Sequence, residues 1–408
     1  MKKNLSFIIY ILIVLSSLTF YNPFGVISAT LGKFLFYISC TLGIIIAIKK
    51  GVNLKYSHYP KTTYKMIIYG ILISTFMAII YQQQSFMTTL IATLPYFLGY
   101  LVFFILMKLD IPKEQIRKAL WIFCFIGMAT YLINLVSIPN LIFGEGRDEF
   151  DSSRGFIRLS ISSLELIVLF LLYSINQWIV TKKKKYLCLI ALTATFIILS
   201  VVRQYIMISA LLSLLLILNN SSITKKIFIL VICFIFFTVI LPKIPMYQKM
   251  SEVTKEQVER NNSQEEDIRI QAWKFYTYEY QTNFLTTILG NGTPSIGNSI
   301  WGNKFAQKTT REYGGNGCYY VDVGWAGFYW LFGLISTLSL LILLLKGILK
   351  QSSRNELYLK YWCLFIILAS IASAPILLYK QIISISTVLY LIYGKNKKNR
   401  NYHPQLQQ

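Results

Sequence analysis

Apolar runs of about twenty residues recur along the whole chain, and they limit the folds open to it more than any motif does. A run of that length, wound as a helix, matches the hydrocarbon thickness of a bilayer. Backbone polar groups in hydrocarbon need partners within the chain, so repeated spans are either helices or strands of a closed barrel. The Leu, Ile and Phe runs here lack the period-two alternation of a barrel strand. The expected fold is therefore all-α: a polytopic integral membrane protein.

Twelve spans are expected, near 5–20, 26–48, 66–81, 86–107, 116–139, 159–180, 186–202, 204–219, 226–241, 325–346, 358–375 and 379–393. The stretch around Arg203 is too long for one helix and short for two. The opening "MKKNLSFIIYILIVLSSLTF" has the basic start and apolar body of a signal peptide without a small-residue cleavage site, so an uncleaved first helix is expected. Three regions follow: helices 1–9 in 1–241, one long polar loop with a short amphipathic helix in 242–324, and helices 10–12 with a basic tail in 325–408.

The net charge of +23 is spread among short segments between spans, which argues for a membrane and against a nucleic-acid partner. With the N-terminus inside, the segments "KKGVNLKYSHYPKTTYK", "KLDIPKEQIRK", "KKKK", "TKK", "KGILKQSSRNELYLK" and "KNKKNR" fall on the inner face and hold most of the 40 Lys and Arg. That satisfies the positive-inside rule. Of the 17 acidic residues, only Asp110, Glu114 and Glu356 are then internal, and the long loop faces the exterior.

In that loop, Ser263 followed by Glu266 is a capping-box pattern, so a helix is expected from about Gln264. Arg269, Trp273, Tyr276 and Tyr280 then share one face. Such a face suits a phosphate, which guanidinium grips in a bidentate manner, and pyranose rings, which stack on flat aromatic faces. It equally suits a helix lying at headgroup depth. Seven glycines from Gly290 to Gly317 imply irregular backbone; "GNG" lacks the Lys-Ser/Thr ending of a phosphate loop.

Asp322, in "YYVDVGWAG", has two readings. It is an N-cap for the next span, or a general base at the dry edge of the bilayer. Arg147, Arg154 and Arg158 lie in a mixed-charge outer loop with Glu145, Asp148, Glu149 and Asp151. Glu165 and Arg203 fall at the edges of apolar spans, where charges face a protein interior or a watery cavity, and the two can neutralise each other. Lys33 and Lys380 can snorkel. His58 and His403 both fall on the inner side, so outer-face acid–base work is left to carboxylates, Tyr or Arg. Of the six cysteines only Cys318 lies in a polar region; neither a disulfide framework nor a metal-ligand spacing emerges.

Together, twelve spans, a long outer loop before the last three, "SVVRQYIM", "DIRIQAWKFY", "LGNG" and "YYVDVGWAGFYWLFG" resemble the Wzy-type polymerases of O-antigen and capsular repeat units. The resemblance covers most of the chain by architecture, and by motif Arg203 and residues 269–333. It implies a bacterial cytoplasmic-membrane enzyme that transfers a growing glycan from polyprenyl diphosphate to a sugar hydroxyl of the next lipid-linked unit. It implies diphosphate binding by Arg203 and Arg269 and no cofactor, with a flippase and a chain-length regulator as partners. Arg154, Arg158, Trp273, Tyr276, Tyr280, Tyr319 and Tyr320 are the expected substrate contacts. The related ligases carry a His near the end of this loop, where this chain has Tyr319, Tyr320 and Asp322; that difference favours a polymerase. Fixed guanidinium groups stabilise a diphosphate leaving group without a metal, and a carboxylate activates the acceptor. Asp322 is the first choice for that role and Glu279 the second. A flippase for the same lipid, or a ligase, are the alternatives; the absence of two repeated halves counts against the flippase.

Overall fold

The computed structural model describes residues 2–18, 22–52, 54, 59–138, 140–144, 150–151, 158–159, 161, 163–220, 224, 226, 243, 248, 251, 267–280, 283–311 and 318–394. Fourteen α-helices are named here: α1 Lys2–Ser17, α2 Ala29–Lys50, α3 Lys61–Ile80, α4 Phe86–Leu109, α5 Lys113–Val136, α6 Leu164–Thr181, α7 Lys185–Leu199, α8 Arg203–Asn219, α9 Ile268–Lys274, α10 Phe284–Leu289, α11 Ile300–Arg311, α12 Gly324–Leu349, α13 Leu357–Ala369 and α14 Tyr379–Tyr393. The one β ladder among the described residues pairs Phe150–Asp151 (β1) with Arg158–Leu159 (β2), antiparallel.

Six helices, α2 to α6 and α12, are long and apolar enough to cross a membrane. Each expected span within the described residues contains a helix, whereas residues 227–241 of the ninth lie outside them. Some boundaries move. Residues 158–159 form β2, so α6 starts only at Leu164, and α13 stops at Ala369, which leaves 370–378 as non-helical turns.

The centre of the bundle is α6, whose consecutive residues from Leu164 to Leu172 are all buried. A helix apolar all round belongs inside a bundle, and α6 packs against α5, α7, α8 and α13. Elsewhere small residues let helices approach closely, as in other membrane bundles. A Cβ at Gly99 of α4 would lie 3.0 Å from Ile382 Cγ2 on α14, and Ser386 Oγ donates to the Gly99 carbonyl at 2.8 Å. A Cβ at Gly70 of α3 would lie 1.8 Å from Ser336 Oγ and 3.1 Å from Ser336 Cβ on α12, so even alanine there requires the Ser336 hydroxyl to turn away.

Hydrogen bonds sort the turns into two groups, one at each end of the bundle. One end joins 22–24 to 142–144, Gln82 and Gln84 to 291–299, Tyr131 to Leu199, and Gln204 to Ala369. The other joins Val52 to Lys108, Tyr390 to Ile111, Asn176 to Arg354, Asn219 to Tyr361 and Lys350 to Ile392. Helices that traverse the same bundle in alternating directions produce this grouping.

Candidate functional site

Three polar segments singled out in the sequence meet at one turn. After α13 ends, residues 370–378 form turns rather than a continuous helix, so several of their carbonyls and those of the last helical turn need outside donors. Gln204 Nε2 donates to the Ala369 carbonyl at 2.7 Å, which fixes the start of α8 and with it Arg203. Trp273 Nε1 donates to the Ile371 carbonyl at 2.8 Å, which fixes α9 and with it Arg269. The amides of Gly324 and Trp325 donate to Ser373 at 3.0 Å and Ser370 at 2.9 Å, which fixes the start of α12 just after Asp322. Tyr100 Oη closes the far side on the Ile376 carbonyl at 2.8 Å.

These amide bonds correct the capping reading of Asp322. The N-cap of α12 is Val323 and has no side-chain cap, because the first amides of the helix are taken by carbonyls of the α13–α14 turn. Asp322 instead ends a 3-10 turn, Tyr320–Asp322, with its own amide bonded to Tyr319. Its carboxylate is partly buried, and burial raises its pKa above the ordinary 3.8 while the Arg269 guanidinium pulls it back. Arg269 is exposed at the start of α9, where Asp267 caps the helix by accepting from the Arg269 amide. The Ser263–Glu266 pattern lies outside the described residues.

Arg203 stands at a forced break. The residue Val201 has φ +55°, a conformation a β-branched side chain rarely adopts, and this reversal splits α7 from α8. Arg203 is half-buried there. The carboxylate of Glu165 is held by Tyr205 Oη at 2.8 Å and Gln381 Nε2 at 2.6 Å, so the expected Glu165–Arg203 neutralisation is replaced by hydrogen bonds from neutral groups.

The expected aromatic face divides in two. A π-turn, Phe275–Glu279, follows α9 and rotates the later rings inward. Tyr276 is completely buried and donates to the Cys318 carbonyl at 2.6 Å; burial pushes its phenol far up. Tyr280, half-buried, stacks on Phe275 at 5.1 Å and lies 5.5 Å from Trp330, with Lys308 Nζ 4.8 Å above its ring. Phe305 of α11 stacks on Trp330 at 4.8 Å. These rings hold the loop onto α12; Tyr276 has no face left for a sugar. Trp273 is half-buried and Tyr319 is 51% exposed, so each keeps a ring surface near the Asp322 turn. Tyr320 is partly buried and its phenol meets that of Tyr96 on α4. Glu279 is exposed on the π-turn. Arg154 lies outside the described residues, and Arg158 is placed only as a backbone partner of Asp151.

The "LGNG" stretch proves to be a structural joint. Gly333 interrupts α12 with φ +78° and ψ 172°, so the carbonyls of Trp330 and Leu331 lose their helical partners. The Asn291 and Gly292 amides replace them, at 3.0 and 2.9 Å. Backbone meets backbone there: a Cβ on Gly290 would lie 2.4 Å from the Leu331 oxygen, and one on Gly292 2.5 Å from Ser74 O of α3. Nothing in the sequence around Ser370 marked it as the shared anchor; the small-residue run "LASIASAP" is the only trace of it. No family model matches the chain, and no curated protein matches it.

Proposed function

We propose that this protein polymerises polyprenyl-diphosphate-linked oligosaccharide repeat units at the outer face of a bacterial cytoplasmic membrane. The reading rests on one observation: the segments that carry Arg203, Arg269 and Asp322 are all tied to residues 369–373. A guanidinium, Arg269, that acts on a partly desolvated carboxylate, with Arg203 on a segment tied to the same turn, suits the transfer of a glycan from a diphosphate to a hydroxyl. Arg203 and Arg269 stabilise the charge that grows on the departing diphosphate. Asp322 accepts the proton of the attacking sugar hydroxyl, and its raised pKa makes it a stronger base than a solvated aspartate. Trp273 and Tyr319 offer ring faces to the sugars. The basic turns at the opposite end support a cytoplasmic location for that end, and with it both termini, by the positive-inside rule.

The test is a synthetic lipid-linked repeat unit supplied to the purified protein in nanodiscs, with products sized by gel. A ladder of multiples that disappears in Arg203→Ala and Arg269→Ala proteins of normal fold supports the reading. A ladder of undiminished length from both variants refutes the roles. Movement of the unit between leaflets without elongation assigns a flippase instead.

A further inference from the structure

The end of the bundle opposite this site carries a second cationic centre. Lys113 opens α5 and is only 7% exposed. Arg117, one turn on, reaches Glu114 at 2.9 Å and Glu356 at 3.6 Å, but Glu114 is a largely exposed partner while Glu356 is mostly buried. Lys350, just past α12, joins the group: Lys113 interacts electrostatically with Glu356, Lys350 and Arg117 together. Three cations thus meet one mostly buried carboxylate, Glu356, and one exposed carboxylate, Glu114, among the described residues. The residual positive charge in a low-dielectric rim is costly unless an anion shares it.

The uncharged groups point the same way. Arg117 Nε and the Tyr358 hydroxyl are buried donors without an acceptor, and Tyr358 faces Arg117 and Glu356 electrostatically. Ser352 Oγ, on the turn just before Glu356, is likewise buried without a partner. Two helices begin here, α5 at Lys113 and α13 at Leu357, and neither has a side-chain N-cap. Helix starts, unsatisfied donors and surplus cations in one place are what an oxyanion with several acceptor oxygens requires.

We propose that Lys113, Arg117, Lys350 and Tyr358 form a binding site for a phosphate group, at the membrane end remote from the Asp322 turn. The phosphate comes from a lipid headgroup or from a soluble phosphate. The site stands independently of the polymerase reading, since none of its residues belongs to that centre.

Full-length protein, purified and stripped of lipid in detergent, would be titrated with phosphatidylglycerol, with phosphatidylcholine and with inorganic phosphate. Thermal unfolding and native mass spectrometry would be read against chloride at equal ionic strength. A midpoint that rises with phosphatidylglycerol alone, with one lipid retained per chain, assigns a headgroup site. A rise with inorganic phosphate as well assigns a site for free phosphate. Arg117→Gln should weaken either by roughly tenfold to a hundredfold, the loss expected for charge-assisted hydrogen bonds. Lys350→Gln, at a half-buried position whose side chain also donates to the Ile392 carbonyl at 2.7 Å, a bond the Gln amide can keep, should weaken it severalfold and serves if the first variant folds poorly. No shift and no retained anion with any of the three, or equal binding by wild type and both variants, overturns the proposal.

Discussion

Replacing Gly333 by Ala tests whether the broken helix and the "LGNG" loop are one joint. Gly333 sits at φ +78° and ψ 172°, a region closed to other residues at a cost of ~1–3 kcal/mol. The new Cβ would also lie 2.3 Å from the Ile288 oxygen and 2.5 Å from the Gly290 nitrogen, distances no Cβ occupies. The loop must therefore withdraw, breaking the Asn291–Trp330 and Gly292–Leu331 bonds. Each carbonyl left unpaired in an apolar setting adds ~1–3 kcal/mol. Alternatively α12 straightens, so that Leu334 and Ile335 supply the missing amides and much of the stability returns. Both routes free the loop, which makes loop protection the decisive readout. Hydrogen exchange over 284–299 should accelerate by at least ~30-fold, since two bonds worth ~1–3 kcal/mol each are lost locally. Thermal midpoint falls only if the helix stays bent. Unchanged exchange over 284–299 in a folded Gly333→Ala protein would refute the joint.

Other expectations follow from the Asp322 turn. Asp322→Asn should abolish polymer in the lipid-linked-unit assay while leaving the thermal midpoint equal or higher. Its raised folded-state pKa means that ionised Asp322 subtracts from stability at neutral pH, and this cost fades as pH falls through the folded pKa towards the ordinary 3.8. Polymerisation should fail as pH falls through that same folded pKa, and in Arg269→Gln protein the Asp322 carboxyl, followed by its infrared band rather than by activity, should titrate at higher pH, because Arg269 holds the value down; a titration that stays put would detach the two groups. Trp273→Phe keeps a ring but loses the Ile371 bond, worth ~1 kcal/mol, so a small drop in midpoint should accompany a larger, ~10–100-fold loss of kcat/KM if α9 positions Arg269. Gln204→Met should act in the same way through Arg203, measured on the same substrate.

Much of the bundle was legible because periodicity and run length are local properties. The break at Arg203 is one case: the run "YLCLIALTATFIILSVVRQYIMISALLSLLLILNN" exceeds one helix, and the structure resolves it with a two-helix reversal at Val201. What failed depended on long-range partners. Of the two readings of Asp322, the cap failed because sequence shows only the helix start, not the Ser370 and Ser373 carbonyls that arrive from some fifty residues downstream. Tyr276 and Tyr280 looked available because ideal 3.6 periodicity ignores the π-turn that rotates them towards Trp330. Glu165 looked like a partner for Arg203, yet Gln381, on the last helix, holds it. The glycines of "LGNG" announced irregular backbone but not the carbonyls of α12 that they serve.

The electrostatics of the Asp322 turn bear on what Arg269 is for. No ion pair of 4 Å or less joins Arg269 to Asp322 among the described contacts, yet the guanidinium is close enough to lower the carboxyl's pKa. Burial outweighs it, so the net shift is upward. A structural salt bridge would give the reverse balance, with the carboxylate well below its ordinary value and the guanidinium consumed. Here the carboxyl stays above its ordinary pKa and the guanidinium stays exposed. The two groups therefore influence each other without neutralising each other. An anionic leaving group entering beside Arg269 would draw the guanidinium's field onto itself and raise the basicity of Asp322 further. In the proposed reaction, substrate binding would thus strengthen Asp322 as a base at the step that needs it, a coupling that a pre-formed ion pair would forbid.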